Sequence, residues 1–388
     1  MVEMKKIIQR VNILFWIIFL LVCCGKKEVK VYAYGESENI SVDSFLDTSE
    51  FEEMQEILDE NLGEKSFSFV GFVKKIYSGE VEWSLSGILN ECVKTIATVL
   101  KNNKTMWVQC FTIVIVGSIC TSFSGIFKNG QVGETGFFMT YLMLFSVLFG
   151  AFLSIFQLVK SSVELLLLFM KALLPVYFLM VAGSKGAGVA TPMYQSSLWI
   201  IGILEVIIEK IILPVMEIYF VLGIINHFSK EDKLSKLVEF LESVIKWSLK
   251  GILGITLGLH TVESMMLPAV NQVKQNIVLK TGKAIPVLGD TFESVSETFF
   301  SIASLLKNAV GISGIVCIIL LCTAPVLKLL VYTVVFKLGT AILQPVSEKR
   351  IWNCLNGISN TAGLLLYLEV ICILLFSITI IIVAKGTG

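Results

Sequence analysis

The 388 residues are 55% hydrophobic and only 16% charged, well below the roughly 25% charge of a typical soluble domain, so an ordinary water-soluble fold is excluded. Lys+Arg and Asp+Glu both number 31; with no net charge and no basic stripe, the chain does not read as a nucleic-acid binder. Nine cysteines and two histidines form no CxxC pair and no clustered spacing, which argues against a structural zinc site or a disulfide framework.

The N-terminus has the form of an export signal. Lys5, Lys6 and Arg10 precede an apolar core at 11–22, short for a membrane-crossing helix, and Val31-Tyr32-Ala33 offers a small-residue cleavage site before Tyr34. A signal peptide is therefore expected at 1–33. Residues 34–105 are expected to form a small, acidic, extracytoplasmic region. Residues 36–60 contain no Lys or Arg and are expected to be a loop followed by a solvated helix. From Leu85, apolar Ile88, Leu89, Cys92, Val93, Ile96, Val99 and Leu100 recur at the spacing of an amphipathic helix.

Residues 106–388 read as a polytopic membrane domain. Apolar stretches of about 18 or more residues can cross a bilayer as helices. The first two are expected at 107–127 and 136–159, and a third at 161–183 carries Glu164, Lys171 and Pro175. The Gly-rich stretch 183–188 lacks the Gly-Lys-Ser/Thr ending of a phosphate-binding loop and is read as a turn. Residues 196–228 are too long for one ordinary span and hold Glu205, Glu209, Lys210, Pro214 and Glu217, so they predict one bent helix or two helices meeting near Pro214.

An amphipathic helix with apolar Leu234, Leu237, Val238, Leu241, Val244 and Ile245 follows. It leads into a moderately apolar segment with a Gly254/Gly258 GxxxG pair, a spacing that lets helices approach closely. A polar connection is expected at 271–290, then a second amphipathic helix at 292–306 feeding an apolar run at 309–343 that carries Pro325, Lys328 and Lys337. A polar loop at 344–361 and a last span at 362–384 complete an all-α polytopic helical membrane protein of about six or seven spans plus amphipathic helices.

Charges within such spans cost roughly 2.5–3.5 kcal/mol at a helix centre and are functional candidates. Glu164 and Lys171 lie two helical turns apart, and Glu205 and Glu209 one turn apart, so each pair shares a face. Such groups line a polar path, bind a partner helix, or sit at the interface, where Lys snorkels. No HExxH, GxSxG or nucleotide-binding loop occurs, so no catalytic, cofactor-binding or metal residue is assigned and no enzyme activity is expected. A stand-alone secondary transporter with Glu205 and Glu209 at an ion site is the alternative reading.

Several spaced segments carry a more specific signal. Residues 280–290 read Lys-Thr-Gly-Lys-Ala-Ile-Pro-Val-Leu-Gly-Asp; Leu306-Lys307-Asn308-Ala309-Val310-Gly311, Ala324-Pro325-Val326-Leu327-Lys328 and Gln344-Pro345-Val346 follow, with Leu174-Pro175-Val176 earlier. Together with the signal peptide and span layout, this resembles the stage III sporulation protein AE family over nearly the whole chain. The resemblance implies a multi-pass protein of the mother-cell membrane facing the forespore, with its N-terminal region extracytoplasmic. It implies membership of a secretion-like channel complex linking the two cells and supporting forespore development and late forespore-specific transcription. A separate ATPase and extracytoplasmic ring proteins are the implied partners, with no cofactor and no transferred catalytic residues. The residues read as conduit or assembly candidates are Glu164, Lys171, Glu205, Glu209, Lys280, Gly282, Lys283, Pro286, Gly289, Lys307, Asn308 and Pro325.

Overall fold

The computed structural model describes residues 49–62, 67–79, 85–124, 130–228, 233–282, 289–345 and 349–386, the side chains of 85–91, 120–134, 228, 263–300, 385 and 386 excepted. The expected signal peptide at 1–33 lies outside the described residues. Every element among them is helical: α1 (Ser49–Leu62), α2 (Phe69–Ser78), α3 (Leu85–Asn102), α4 (Lys104–Ser124), α5 (Gly130–Lys185), α6 (Ala187–Ile207), α7 (Leu213–Phe228), α8 (Ser235–Gly282), α9 (Gly289–Leu343) and α10 (Lys349–Gly386). A π turn, Ile208–Ile212, joins α6 to α7. The physical reason is that hydrocarbon offers no hydrogen-bond partners, so an apolar chain must satisfy its own backbone, and a helix does so within one segment.

Among the described residues, three helices are long and apolar enough to cross a membrane: 135–185, 301–343 and 349–384; a shorter apolar helix spans 104–119. This is fewer than the six or seven spans expected. Part of the difference is fusion: the segments predicted at 136–159 and 161–183 form one continuous helix, α5, of 56 residues. At 1.5 Å per residue α5 is about 84 Å long, far beyond a hydrocarbon core of about 30 Å. Similarly, α9 runs unbroken through Pro325, and α10 begins at Lys349, so the polar loop expected at 344–361 shrinks to the few residues before it. The polar connection expected at 271–290 is also shorter, because α8 stays helical to Gly282 and α9 starts at Gly289.

Side-chain pairings give the helix directions. The α5 residues Tyr177 and Leu173 face Gly311 and Gly314 of α9, which makes these helices antiparallel. Ile380 of α10 lies beside the same two glycines, and Ser359 of α10 donates to the Thr333 carbonyl of α9 at 3.0 Å, so α9 and α10 are antiparallel too. Lys171 meets Glu205, Phe152 stacks on Phe220 at 3.7 Å between centroids, and Tyr141 donates to the Ile224 carbonyl at 2.6 Å. The α6–π–α7 stretch therefore returns along the full length of α5. The result is an up-and-down arrangement, with α10 packed against α5, α7, α8 and α9. Its buried residues Ile351, Leu355, Ile358, Ala362, Leu365, Leu368, Cys372 and Phe376 recur every three or four positions. Leu364, Leu366, Ile371 and Leu375 are buried as well, as a helix apolar all round requires.

Pro214 explains the π turn. Proline lacks an N–H and its ring clashes with the carbonyl four residues back. The chain widens just before it, so that the Leu213 N–H donates to Ile208, five residues back. The Gly-rich stretch is a tight reversal centred on one residue: Gly186, at φ 88°, separates α5 from α6.

The acidic N-terminal helix is not fully solvated. Phe51, Met54, Ile57 and Leu58 of α1 are buried, α1 packs on α5, and α2 and α3 pack on α9. The charges in this region line the outer side of an amphipathic helix whose apolar side the composition had hidden. Helix α2 is capped at both ends, by the Ser68 hydroxyl accepting from the Gly71 N–H and by Gly79 at φ 76°.

Helices α4 and α5 touch at Gly117, where an added Cβ would fall 2.0 Å from Thr140 Cγ2. Thr140 cannot easily yield: it is β-branched and its hydroxyl donates to the Gly136 carbonyl at 2.9 Å. By contrast, among the described residues nothing lies within 4 Å of the Cβ position at Gly150, nor at Gly254 and Gly258, so the predicted GxxxG pair makes no close approach to them. Gly117→Ala is expected to destabilise the protein by about 1–3 kcal/mol through overpacking. Gly150→Ala, relieved of a flexible glycine, is expected to be neutral or slightly stabilising. Thermal unfolding of the two variants in detergent checks the contrast.

Candidate functional site

Apolar helices carry polar groups at a cost, so the way each group is answered reveals its role. Most hydroxyls in the long helices fold back on their own backbone. Ser118, Thr140, Ser154, Thr323, Thr333, Thr340, Thr361 and Thr379 each donate to the carbonyl four residues earlier. Ser162 of α5 breaks this pattern. Its hydroxyl crosses to α10 and donates to Glu369 Oε1 at 2.5 Å.

Glu369 is fully buried, and its second oxygen, Oε2, has no hydrogen-bond partner among the described residues. The thiols of Cys322 on α9 and Cys372 on α10 are its electrostatic neighbours. Three helices thus contribute side chains around one carboxyl in the packed interior. Sequence reasoning missed Glu369 because attention fell on charges in proline-broken runs. The signal was nonetheless present: it is the lone carboxylate in the last apolar span, 362–384.

The structure redistributes the charges that the sequence singled out. Glu164 and Lys171 share a helix but do not pair. Glu164 lies 3.9 Å from Lys160, while Lys171 bridges to Glu205 of α6, its Nζ donating to both carboxylate oxygens at 2.9 and 2.7 Å. The Lys171–Glu205 pair faces outward, with about a third or more of each side chain exposed (42% and 34%). Glu209 lies in the π turn with no hydrogen bond or ion pair among the described residues. Glu205 and Glu209 thus stand in different surroundings, the first paired with Lys171 and the second without such a partner among the described residues.

Lys307 is fully buried in α9 with Lys185 at the end of α5 as an electrostatic neighbour, whereas the adjacent Asn308 is exposed. Pro325 is half-buried inside α9. Lys280 and Gly282 fall in the helical backbone of α8 and Gly289 in that of α9, while Lys283 and Pro286 lie outside the described residues. Cys92, Cys110, Cys317, Cys322, Cys354 and Cys372 are free thiols, and among the described residues no group of three His, Cys, Asp or Glu side chains converges as a metal site.

Long, antiparallel, apolar helices with a polar cross-link inside and an ion pair outside define a polytopic helical membrane protein. Residues 67–387 match the family described as Stage III sporulation protein AE, and the chain belongs to that family. It is 26% identical over 332 residues to the stage III sporulation protein AE of Bacillus subtilis (strain 168), an alignment covering 83% of this chain and 77% of that protein. No solved structure matches.

The Ser162–Glu369 bond tests the energetic reading of the core. Removing one partner of a buried hydrogen bond strands the other, at a cost of about 1–3 kcal/mol. Ser162→Ala is therefore expected to lower thermal stability in detergent by that amount. Replacing both partners with apolar residues of similar shape, Ser162→Ala with Glu369→Leu, is expected to recover most of it. If the double variant is less stable than the single one, the bond is not the term that matters.

Proposed function

We propose that this protein is a non-enzymatic, multi-pass subunit of a secretion-like channel complex in the mother-cell membrane facing the forespore during endospore formation. In this reading its N-terminal region is extracytoplasmic, and α4, α5, α6–α7, α8, α9 and α10 each cross the bilayer. The complex supports forespore development and late forespore-specific transcription. A separate ATPase and extracytoplasmic ring proteins supply the energy and the outer conduit.

Family membership supports the sporulation role. The observation that carries the subunit reading is the outward Lys171–Glu205 pair, with Glu209 one turn further along the same stretch. Charges turned toward lipid are expensive, so helices that carry them on the outside are suited to meeting other protein. The sequence 280–290, including Lys280, Gly282, Lys283, Pro286 and Gly289, is proposed as a second assembly element.

Two experiments test these assignments. Glu205→Lys, made in sporulating cells, is expected to reduce co-purification of partner subunits and spore formation by at least severalfold at unchanged protein level. Combining it with Lys171→Glu rebuilds the intramolecular pair with its charges exchanged, and is expected to leave complex recovery low. Full complex recovery in both variants overturns the outward-interface assignment. For the polar connection, Lys283→Glu with Gly289→Val is expected to impair complex recovery, and normal recovery with normal sporulation removes that segment from the assembly surface.

A further inference from the structure

Helices α3, α5 and α9 line an open cavity of about 580 Å³ that none of the assignments above uses. Its size falls within the roughly 300–1,000 Å³ of small-ligand pockets. Its chemistry is one-sided. Lys94 of α3 and Lys328 of α9 lie on its wall with Thr95, Thr98 and Asn102, and no Asp or Glu is among the described residues that line it. Val99, Ile155 and Leu158 give it an apolar floor.

Lys328 is the informative member. It lies in the apolar run of α9, half-buried, and makes no hydrogen bond or ion pair among the described residues. An ammonium group in such a setting is stabilised by an anion. Among the described residues no carboxylate pairs with Lys328. Tyr332 donates its hydroxyl to Asn103 Oδ1 at 2.7 Å, and Asn103 Nδ2 donates in turn to the Val99 carbonyl at 2.9 Å, so these two polar side chains are occupied with each other and with the wall.

The position of the cavity indicates where the anion comes from. Helix α3 is amphipathic, with Val99 buried and Val93 and Leu100 outward, the form of a helix lying at a membrane surface. Next along the chain, at the start of the apolar helix 104–119, Trp107 packs on Tyr332 and Phe336 with ring centroids 5.2 and 4.8 Å apart, a buried aromatic cluster that ties α4 to α9 beside the cavity. A basic pocket between helices where an amphipathic helix meets an apolar one has the chemistry of a phospholipid headgroup site.

We infer that this cavity binds the phosphate of an anionic phospholipid, with Lys94 and Lys328 as its cationic contacts, the threonine hydroxyls as further donors, and the apolar floor against the glycerol and upper acyl chain.

The full-length protein, purified in detergent and delipidated, tests this by thermal unfolding and native mass spectrometry with added lipid. Phosphatidylglycerol is expected to raise the unfolding temperature and to remain bound in the mass spectrum, and phosphatidylcholine is not. Lys328→Gln is expected to weaken phosphatidylglycerol binding roughly fivefold or more, the scale of one lysine at an anionic surface, and Lys328→Arg to retain it. Lys94→Gln, on the exposed side of α3, provides a second reading should Lys328→Gln fail to fold, and is expected to weaken binding similarly. Stabilisation by inorganic phosphate without stabilisation by the lipid overturns the lipid assignment in favour of a free phosphate. Equal binding of both phospholipids, or undiminished phosphatidylglycerol binding in the Lys94→Gln and Lys328→Gln variants, overturns the site itself.

Discussion

The structure depends on the burial of α10. That helix packs against four others, so any polar atom it carries must be answered by protein. Ser359 and Glu369 show two ways of doing so: the first donates to a carbonyl of α9, the second accepts from a hydroxyl of α5. In water such bonds would contribute little net stability, because the alternative is hydration. Inside a packed helical membrane domain that alternative is missing, and the same bonds fix which helix lies beside which.

Close packing sets the rest. Gly117, Gly311 and Gly314 lie where a neighbouring helix reaches in, with Thr140, Tyr177 and Leu173 filling the space a larger side chain would take. Without a hydrophobic force to draw helices together in lipid, such shape fits are a main source of association. The glycines at 254 and 258 show that spacing alone is insufficient. Both carry the motif, yet among the described residues no side chain or other helix comes within 4 Å of the Cβ positions.

The charged groups divide by where they point. Glu369 and Lys307 turn inward and are fully buried, which ties them to the internal packing of α5, α9 and α10. Lys171 and Glu205 turn outward as a pair, and Lys328 turns into a cavity lined by donors. A single molecule thus has a cross-linked interior, an outer face carrying charge, and a basic recess beside an aromatic cluster.

Much of this was legible without coordinates. Length and apolar composition determined a helical membrane protein, since only helices satisfy the backbone of such runs in lipid, and the spaced motifs around 280–311 pointed to the family. The π turn beside Pro214 was likewise foreshadowed, because a proline must disturb the helix that precedes it. What the sequence left open was every question of partnership. Two residues seven apart on one helix share a face, but whether Lys171 meets Glu164 or Glu205 depends on which helix lies opposite. The lone carboxylate at Glu369 carried no mark of its importance until Ser162, 207 positions away in the chain, was placed against it. Periodicity is a local property and was set by the chain itself. Pairing is a property of two surfaces brought together, and only the tertiary structure decided it.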